Sequence, residues 1–410
     1  MKSISGFGGI YNSKENPNKK SKNWLKGMLR NDKHKIFGLC LMCLASCTHP
    51  YEPPPIPFNS RPLVVEAQIN ASPDATTTVA LSRVENISNA GSSSGAPELN
   101  AIVNLEAEDG TLIALSEQGK GQYSADHLDL ILYNNYRLNI TTADGNKYQS
   151  DFVHPKQTPP IDSLEWNQNS DVTIYVNTHD PLDSTIYYRW DFVETWNYLA
   201  NLNSIWGVEN RKIFFKDSLT QTDSCWRMDS SSDIVTANSL AYSQDVISHY
   251  PITTITAGTE KLSNRYSILV RQYALTKEAY EYFQTLRKNT QQTGSLFDPQ
   301  PMILPTNIHC LTHPNETVIG FVTASSVTEK RIFIDHTQVS NWNYGGTVTG
   351  DCSHFVYTDP NPTDYTIFDY PDTTFGPYYF ITMGPLVLVA RTCTECTYYG
   401  GTNVKPSFWQ

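Results

Sequence analysis

No stretch of about 20 consecutive apolar residues, the length a helix needs to cross a bilayer, occurs in this 410-residue sequence. Reading any segment as a spanning helix is therefore excluded. Basic residues are also scarce. Thirty Lys and Arg against 41 Asp and Glu leave a net charge of −11. Nucleic-acid binding needs a basic footprint and is excluded on that ground. Direct docking on anionic lipid is disfavoured for the same reason. Catalytic signatures are missing too: there is no H-E-x-x-H, no Walker loop and no strand-bound G-x-G-x-x-G. Gly91-Ser92-Ser93-Ser94-Gly95 matches G-x-S-x-G only formally. That motif works on a sharp turn from strand to helix, and here it lies in the Ser/Gly-rich loop 89–96. The sequence thus assigns no catalytic residue, no metal and no cofactor, and the chain is read as a non-enzyme.

What is present begins with an asymmetry of charge. Residues 1–46 hold nine Lys or Arg and two acidic residues. Residues 36–45 form a short apolar run behind the basic cluster Arg30, Lys33 and Lys35. A basic n-region, a short h-region and small residues at the cut make a secretory signal. Leu44-Ala45-Ser46-Cys47 resembles the lipobox cut by signal peptidase II before a diacylated cysteine. Four positions must agree there, which separates it from a cysteine that merely sits near a cut. Cys47 is the expected lipidation site, and membrane attachment is expected through its lipid. Each buried CH₂ contributes about 0.8 kcal/mol, and stable anchoring takes more than one acyl chain. Met28-Leu29-Arg30 would open a compact leader, an alternative start to the chain. The segment 47–60 is proline-rich, and proline at that density favours a semi-rigid polyproline II tether.

Beyond the leader the chain carries 21 basic and 39 acidic residues, a net charge of −18. Aromatic residues make up 12% of the sequence. Aromatic and β-branched richness with many Pro and Gly breaks predicts a mainly β protein. Leu63-Val64-Val65-Glu66-Ala67-Gln68-Ile69 and residues 76–82 read as strands. Alternating runs around Asp109-Gly110 and Asp144-Gly145 read as hairpins, because Gly accepts positive φ. Short strands at this spacing predict an immunoglobulin-like β-sandwich over 61–158. Thr158-Pro159-Pro160 marks a boundary. Residues 159–410 are predicted as a larger β-rich domain with a polar insertion at 200–260 and one helix at 276–289. Thr276 is its N-cap, with Ala279, Phe283 and Leu286 on one face.

Five cysteines remain beyond the anchor: Cys225, Cys310, Cys352, Cys393 and Cys396. In an exported chain they are candidates for disulfides, and an odd number leaves at least one unpaired within the chain. A bridge from Cys352 to Cys393 would close a loop of about 42 residues, contributing about 4 kcal/mol on the chain-entropy model. The spacing alone does not give the pairing. His309-Cys310-Leu311-Thr312-His313 and the Cys393-x-x-Cys396 pair also offer soft ligands for a structural zinc. Redox chemistry would need that pair at a helix N-terminus, and Thr397-Tyr398-Tyr399-Gly400-Gly401 is not a helix start. Asp180-Pro181-Leu182-Asp183 reads as a turn, with calcium binding as the competing use. Trp190, Trp196, Trp206 and Trp226 lie in or near the insertion and are candidates for a partner or ligand face. The competing reading is that they are core.

The chain resembles the domain-of-unknown-function family 4249, lipoproteins of Bacteroidetes. The resemblance rests on an ordered series. Leu63-Val64-Val65-Glu66 follows the proline-rich start, and Pro160-Ile161-Asp162-Ser163-Leu164 and Tyr187-Tyr188-Arg189-Trp190 come next. Ala279-Tyr280-Glu281-Tyr282-Phe283, Phe297-Asp298-Pro299-Gln300-Pro301, Asn307-Ile308 and Val318-Ile319-Gly320-Phe321 continue it. Cys393-Thr394-Glu395-Cys396, Gly400-Gly401 and Lys405-Pro406-Ser407-Phe408-Trp409 close it. The resemblance implies an outer-membrane location and association with a TonB-dependent transporter, and supplies no catalytic residues. It also raises O-glycosylation at Asp162-Ser163-Leu164, Asp217-Ser218-Leu219 and Asp372-Thr373-Thr374. A departure is the single acidic residue, Glu52, close behind Cys47, which leaves the membrane face open. Three functional readings follow: an accessory lipoprotein of a transporter, a stand-alone glycan- or peptide-binding lipoprotein, and an undetected hydrolase. Radiolabelled palmitate is expected to enter the wild-type protein but not Cys47→Ala, which should leave the membrane fraction. A variant that fractionates like the wild type removes the anchor.

Overall fold

Alternation of apolar and polar residues accounts for the first strands. In β1 (Leu63–Asn70) Leu63, Val65 and Ile69 are buried, and in β2 (Ala75–Arg83) Ala75, Thr77, Val79 and Leu81. This is the period of two that sends one face of a strand inward. The computed structural model describes residues 61–85, 95–209, 212–217, 220–291, 302–344, 352, 355–357, 375–380 and 386–410. The signal, Cys47 and the tether lie outside the described residues. So do most of the loop 89–96, Ser218, Leu219 and the 372–374 site.

After the two-residue β3 (Ala96–Pro97) come β4 (Ile102–Ala107), β5 (Leu112–Gly119), β6 (Gln122–Leu128), β7 (Tyr136–Thr141) and β8 (Lys147–Ser150). Both expected hairpins are present. Gly110 turns β4 into β5 at φ 87°, and Gly145 turns β7 into β8 at φ 88°. The chain continues through β9 (Ile161–Gln168), β10 (Val172–His179) and β11 (Tyr187–Leu199), the longest strand among the described residues. There follow β12 (Trp206–Glu209), β13 (Lys212–Phe215), β14 (Ser224–Ser230), β15 (Val235–Asn238), β16 (Val246–Ile255) and β17 (Arg265–Leu275). Helix α1 (Lys277–Gln291) starts where predicted, with the Thr276 hydroxyl accepting the Ala279 N–H at 3.2 Å. Then come β18 (Ile308–Cys310), β19 (Ile319–Ser325), β20 (Val327–Asp335), β21 (Phe355–Tyr357), β22 (Phe375–Phe380), β23 (Leu386–Ala390) and the short α2 (Arg391–Thr394).

The protein is mainly β, as its composition predicts. Residues 61–158 supply eight strands of a ten-stranded sheet in the order β18-β8-β7-β4-β5-β6-β2-β1-β19, with β3 on β2. Two strands from 308–325 complete it, and the whole of Ser60–Gln410 is one compact unit. The sheet is nearly closed. β5 pairs β4 through its first half and β6 through its second. At the seam, the buried Asn307 acts as a surrogate strand. Its carboxamide accepts the Val322 N–H at 2.8 Å and donates to the Val322 carbonyl at 2.9 Å. On the other side β19 runs parallel to β1. Gly320 faces Val65 there at φ 140°, and a Cβ on it would stand 2.1 Å from the Val65 carbonyl oxygen.

A second core lies between a five-stranded sheet (β14-β11-β17-β20, with β15 on β11) and a three-stranded one (β16-β10-β9). Tyr188, Trp190 and Phe192 from β11 meet Val172, Ile174 and Val176 from β10. Residues 200–260, expected as an irregular insertion, instead carry β12 to β16. Their alternation is hard to read for two reasons. β14 is an edge strand in which only Cys225 is buried. The pattern of β16 breaks where His249 adopts φ 50° beside register shifts with β10.

The C-terminal block is held down covalently. Cys225 pairs with Cys396 and Cys352 with Cys393, leaving Cys310 as a buried free thiol. Phe408 lies under Arg331 at 3.6 Å, and Trp409 meets Trp226 and Phe333 edge-on at 6.3 and 5.5 Å. Among the described residues no helix is long and apolar enough to cross a membrane. Gly320→Ala should lower unfolding stability by about 2–4 kcal/mol, because both φ and the contact with Val65 resist a side chain. Urea denaturation measures this, and an unchanged midpoint would rule out the tight β1–β19 seam.

Candidate functional site

The alternation of β11 has two consequences. Its even positions, Tyr188, Trp190 and Phe192, point into the second core. Its odd positions, Arg189 and Asp191, look the other way, toward the outer faces of β1 and β19. Helix α1 packs beside them. Tyr280 lies tilted against Tyr187 at 4.9 Å, and Tyr282 stacks on Phe321 of β19 at 5.3 Å. Between these walls is an open groove of about 630 Å³, within the range of ligand-binding clefts. Its apolar walls include Val64, Phe283, Leu286, Ile319 and Phe321, and its inner wall carries Arg189, Asp191 and Arg271.

The charges form a small network. Arg271 on β17 stands opposite Asp191 on β11, and Arg189 stands opposite Tyr273. The Arg271 Nε donates to Asp191 Oδ1 at 2.5 Å. Burial opposes the charge on Arg271, but the adjacent Asp191 carboxylate outweighs it and holds the guanidinium above its ordinary range. Arg189 reaches the other oxygen of Asp191 only at 3.4 Å. Its guanidinium lies over the Tyr273 ring at 4.4 Å and the Phe283 ring at 4.8 Å, contacts that favour a desolvated cation. Burial, with Glu66 adding, pushes the Tyr282 hydroxyl up to about 12, so it stays a neutral donor. No histidine lines the groove among the described residues. The arrangement places charged and aromatic groups where they can hold a polar ligand.

The tryptophans expected on a partner or ligand face are distributed otherwise. Trp190 and Trp196 are core residues, 1% and 8% exposed. Their indole N–H groups donate to Gln272 and Glu260, each at 2.8 Å. They occupy inward positions of β11, which the strand's period dictates. Trp206 and Trp226 are half-buried against Phe215 and Trp409. The zinc alternative falls because Cys393 and Cys396 bridge to different partners. Cys310 sits in the first core, its thiol 3.5 Å from the Glu316 carboxylate. Among the described residues no group of three or more His, Cys, Asp or Glu could hold a metal ion. Asp180 is a turn residue: its carboxylate accepts from the N–H groups of Leu182, Ser184 and Thr185 and from the Ser184 hydroxyl. Arg189, Asp191 and Arg271 escaped the sequence reading. The available signal was the pair of opposite charges two apart on β11, which share one face.

The chain belongs to the family described as Domain of unknown function (DUF4249), matched over residues 48–331. Among solved structures, the Yersinia pseudotuberculosis adhesin InvE matches at 14% identity over 52% of this chain and 54% of that one, with a TM-score of 0.14. The chain thus aligns with about half of that adhesin's length, and a likeness at this level carries no argument. Curated proteins yield no match.

Directly behind the charged wall, the fully buried Gln272 joins three elements. It accepts from Trp190 and donates to Pro159 O at 2.8 Å and to Thr178 Oγ1 at 3.0 Å. Gln272→Leu should cost about 2–4 kcal/mol by stranding these groups. Chemical denaturation reads it, and a loss under about 0.5 kcal/mol would show that the joint is not held there.

Proposed function

We propose that this chain is an outer-membrane lipoprotein, anchored through Cys47, that binds rather than transforms its ligand and works beside a TonB-dependent transporter. The groove carries the reading. It is walled by both β-layers and by α1, and its inner face holds a guanidinium pair, a carboxylate and aromatic rings. Those are groups that orient a ligand by hydrogen bonds and stacking. The nearly closed sheet, read as an immunoglobulin-like module, would serve as spacer and wall at once. The proline-rich tether before it would keep the groove clear of the lipid surface.

One surface favours the second reading, a stand-alone glycan- or peptide-binding lipoprotein. On the outer face of β9-β10-β16, Tyr175 and His249 stack at 3.7 Å, and Asn177 and Glu165 lie beside them. Such a ring flanked by an amide and a carboxylate suits a sugar.

Pull-down of the full lipoprotein from solubilised outer membranes separates the readings. A TonB-dependent barrel should be recovered with the wild type. Repeated recovery of the lipoprotein alone would defeat the transporter reading.

A further inference from the structure

Arg189 is under-used for a guanidinium. The group has five N–H donors in a fixed fork. Here Nη2 makes one long contact with Asp191 at 3.4 Å, and Nε is buried with no acceptor. The rings of Tyr273 and Phe283 hold its plane, so the fork is oriented before any ligand arrives. Asp191 does not neutralise it, because its nearer bond goes to Arg271 at 2.5 Å. Two guanidiniums share one carboxylate on the inner wall. Glu329 stands opposite Arg271 on β20 but does not line the groove. The other charged lining residues are Glu66 and Asp233, both exposed at the rim.

A cross-section of the groove therefore runs from excess positive charge inside, past rings and aliphatic side chains, to negative charge at the mouth. An uncharged sugar would use polar lining such as Gln68, Gln122 and Thr323 but would satisfy neither charged layer. A fatty acid would satisfy the inner two layers and leave the rim unmatched. A peptide end matches all three, with its terminal carboxylate on the fork, its last side chain against Phe283 and Phe321, and a cationic group outward.

We propose that the groove binds short peptides through their free C-terminal carboxylate, with an apolar last residue and a cation toward Glu66 and Asp233. This rests on the groove being the binding site. Isothermal titration of the full lipoprotein in nanodiscs tests it with three probes: Lys-Ala-Leu, its C-terminal amide, and octanoate. The acid should bind about tenfold or more tighter than the amide, because the fork is left unpaired by the amide. Arg189→Met, which keeps the apolar stem between the two rings, should bring the acid down to the amide's affinity. Glu66→Gln should weaken acid and amide peptide alike, by about threefold for a rim charge. Equal binding of acid and amide overturns the proposal, and so does octanoate binding as tightly as the peptide or no binding of any probe. The acid-to-amide ratio on the wild type needs no variant, so a misfolded Arg189→Met leaves the test intact. A barrel recovered without acid preference sinks only this ligand class; acid preference without a barrel sinks only the transporter association.

Discussion

Two crossings of the chain between its β-layers are bonded to each other, and the groove exists because of that joint. The first crossing is at Thr158, between β8 and β9. The second is at Ser326, between β19 and β20. The Thr158 N–H donates to Ser326 Oγ at 2.8 Å, and the Thr158 hydroxyl donates to the Ser326 carbonyl while accepting the Ala274 N–H. Ser326 N–H in turn donates to Lys156 O at 2.9 Å. Pro159 has no N–H, but its carbonyl takes both Gln272 Nε2 and Thr328 Oγ1. Each of these groups, if stranded, would cost about 1–3 kcal/mol. A segment that reads as a linker is thus a buried hinge-pin: Thr158 is 4% exposed.

The joint fixes how the two layers face. With β19 parallel to β1 and β20 antiparallel to β17, one continuous stretch belongs to both sheets. The outer face of β1–β19 then confronts the odd face of β11. Helix α1 fills part of the space and leaves the rest as the groove. The walls are rigid because each belongs to a hydrogen-bonded sheet with its own core. Side chains placed on strands in this way are held in position by the sheets themselves.

None of the disulfide cysteines lines the groove. Both disulfides fasten the C-terminal block, and Cys225–Cys396 spans 171 residues of sequence. On the chain-entropy model a closure that long contributes about 5 kcal/mol. It secures a region built of short strands and turns. Tyr198 adds a buried hydroxyl bond to the Cys396 carbonyl at 2.7 Å, so the block is pinned to β11, the strand that also carries Arg189 and Asp191.

Composition and local pattern determined a good part of this protein. The β class, both Asp-Gly hairpins, the Thr276-capped helix and the strands at 63–69 and 186–192 all follow from period and turn chemistry, which act over a few residues. The family was legible as well, from motifs in order. What local pattern could not supply was pairing at long range. That β19 returns to β1, that Asn307 mimics a strand, and which cysteines bridge are contacts between distant residues, and no neighbouring pair encodes them. The edge strand β14 and the bulged β16 hid because exposure and positive φ erase alternation. Trp190 and Trp196 belong to the core, which their sequence did not tell, because a ring carries no sign of its facing until the strand's register is known. Arg189, Asp191 and Arg271 are ordinary charges in the sequence; only the tertiary structure makes them neighbours, by laying β17 against β11 and closing the space in front with β1, β19 and α1.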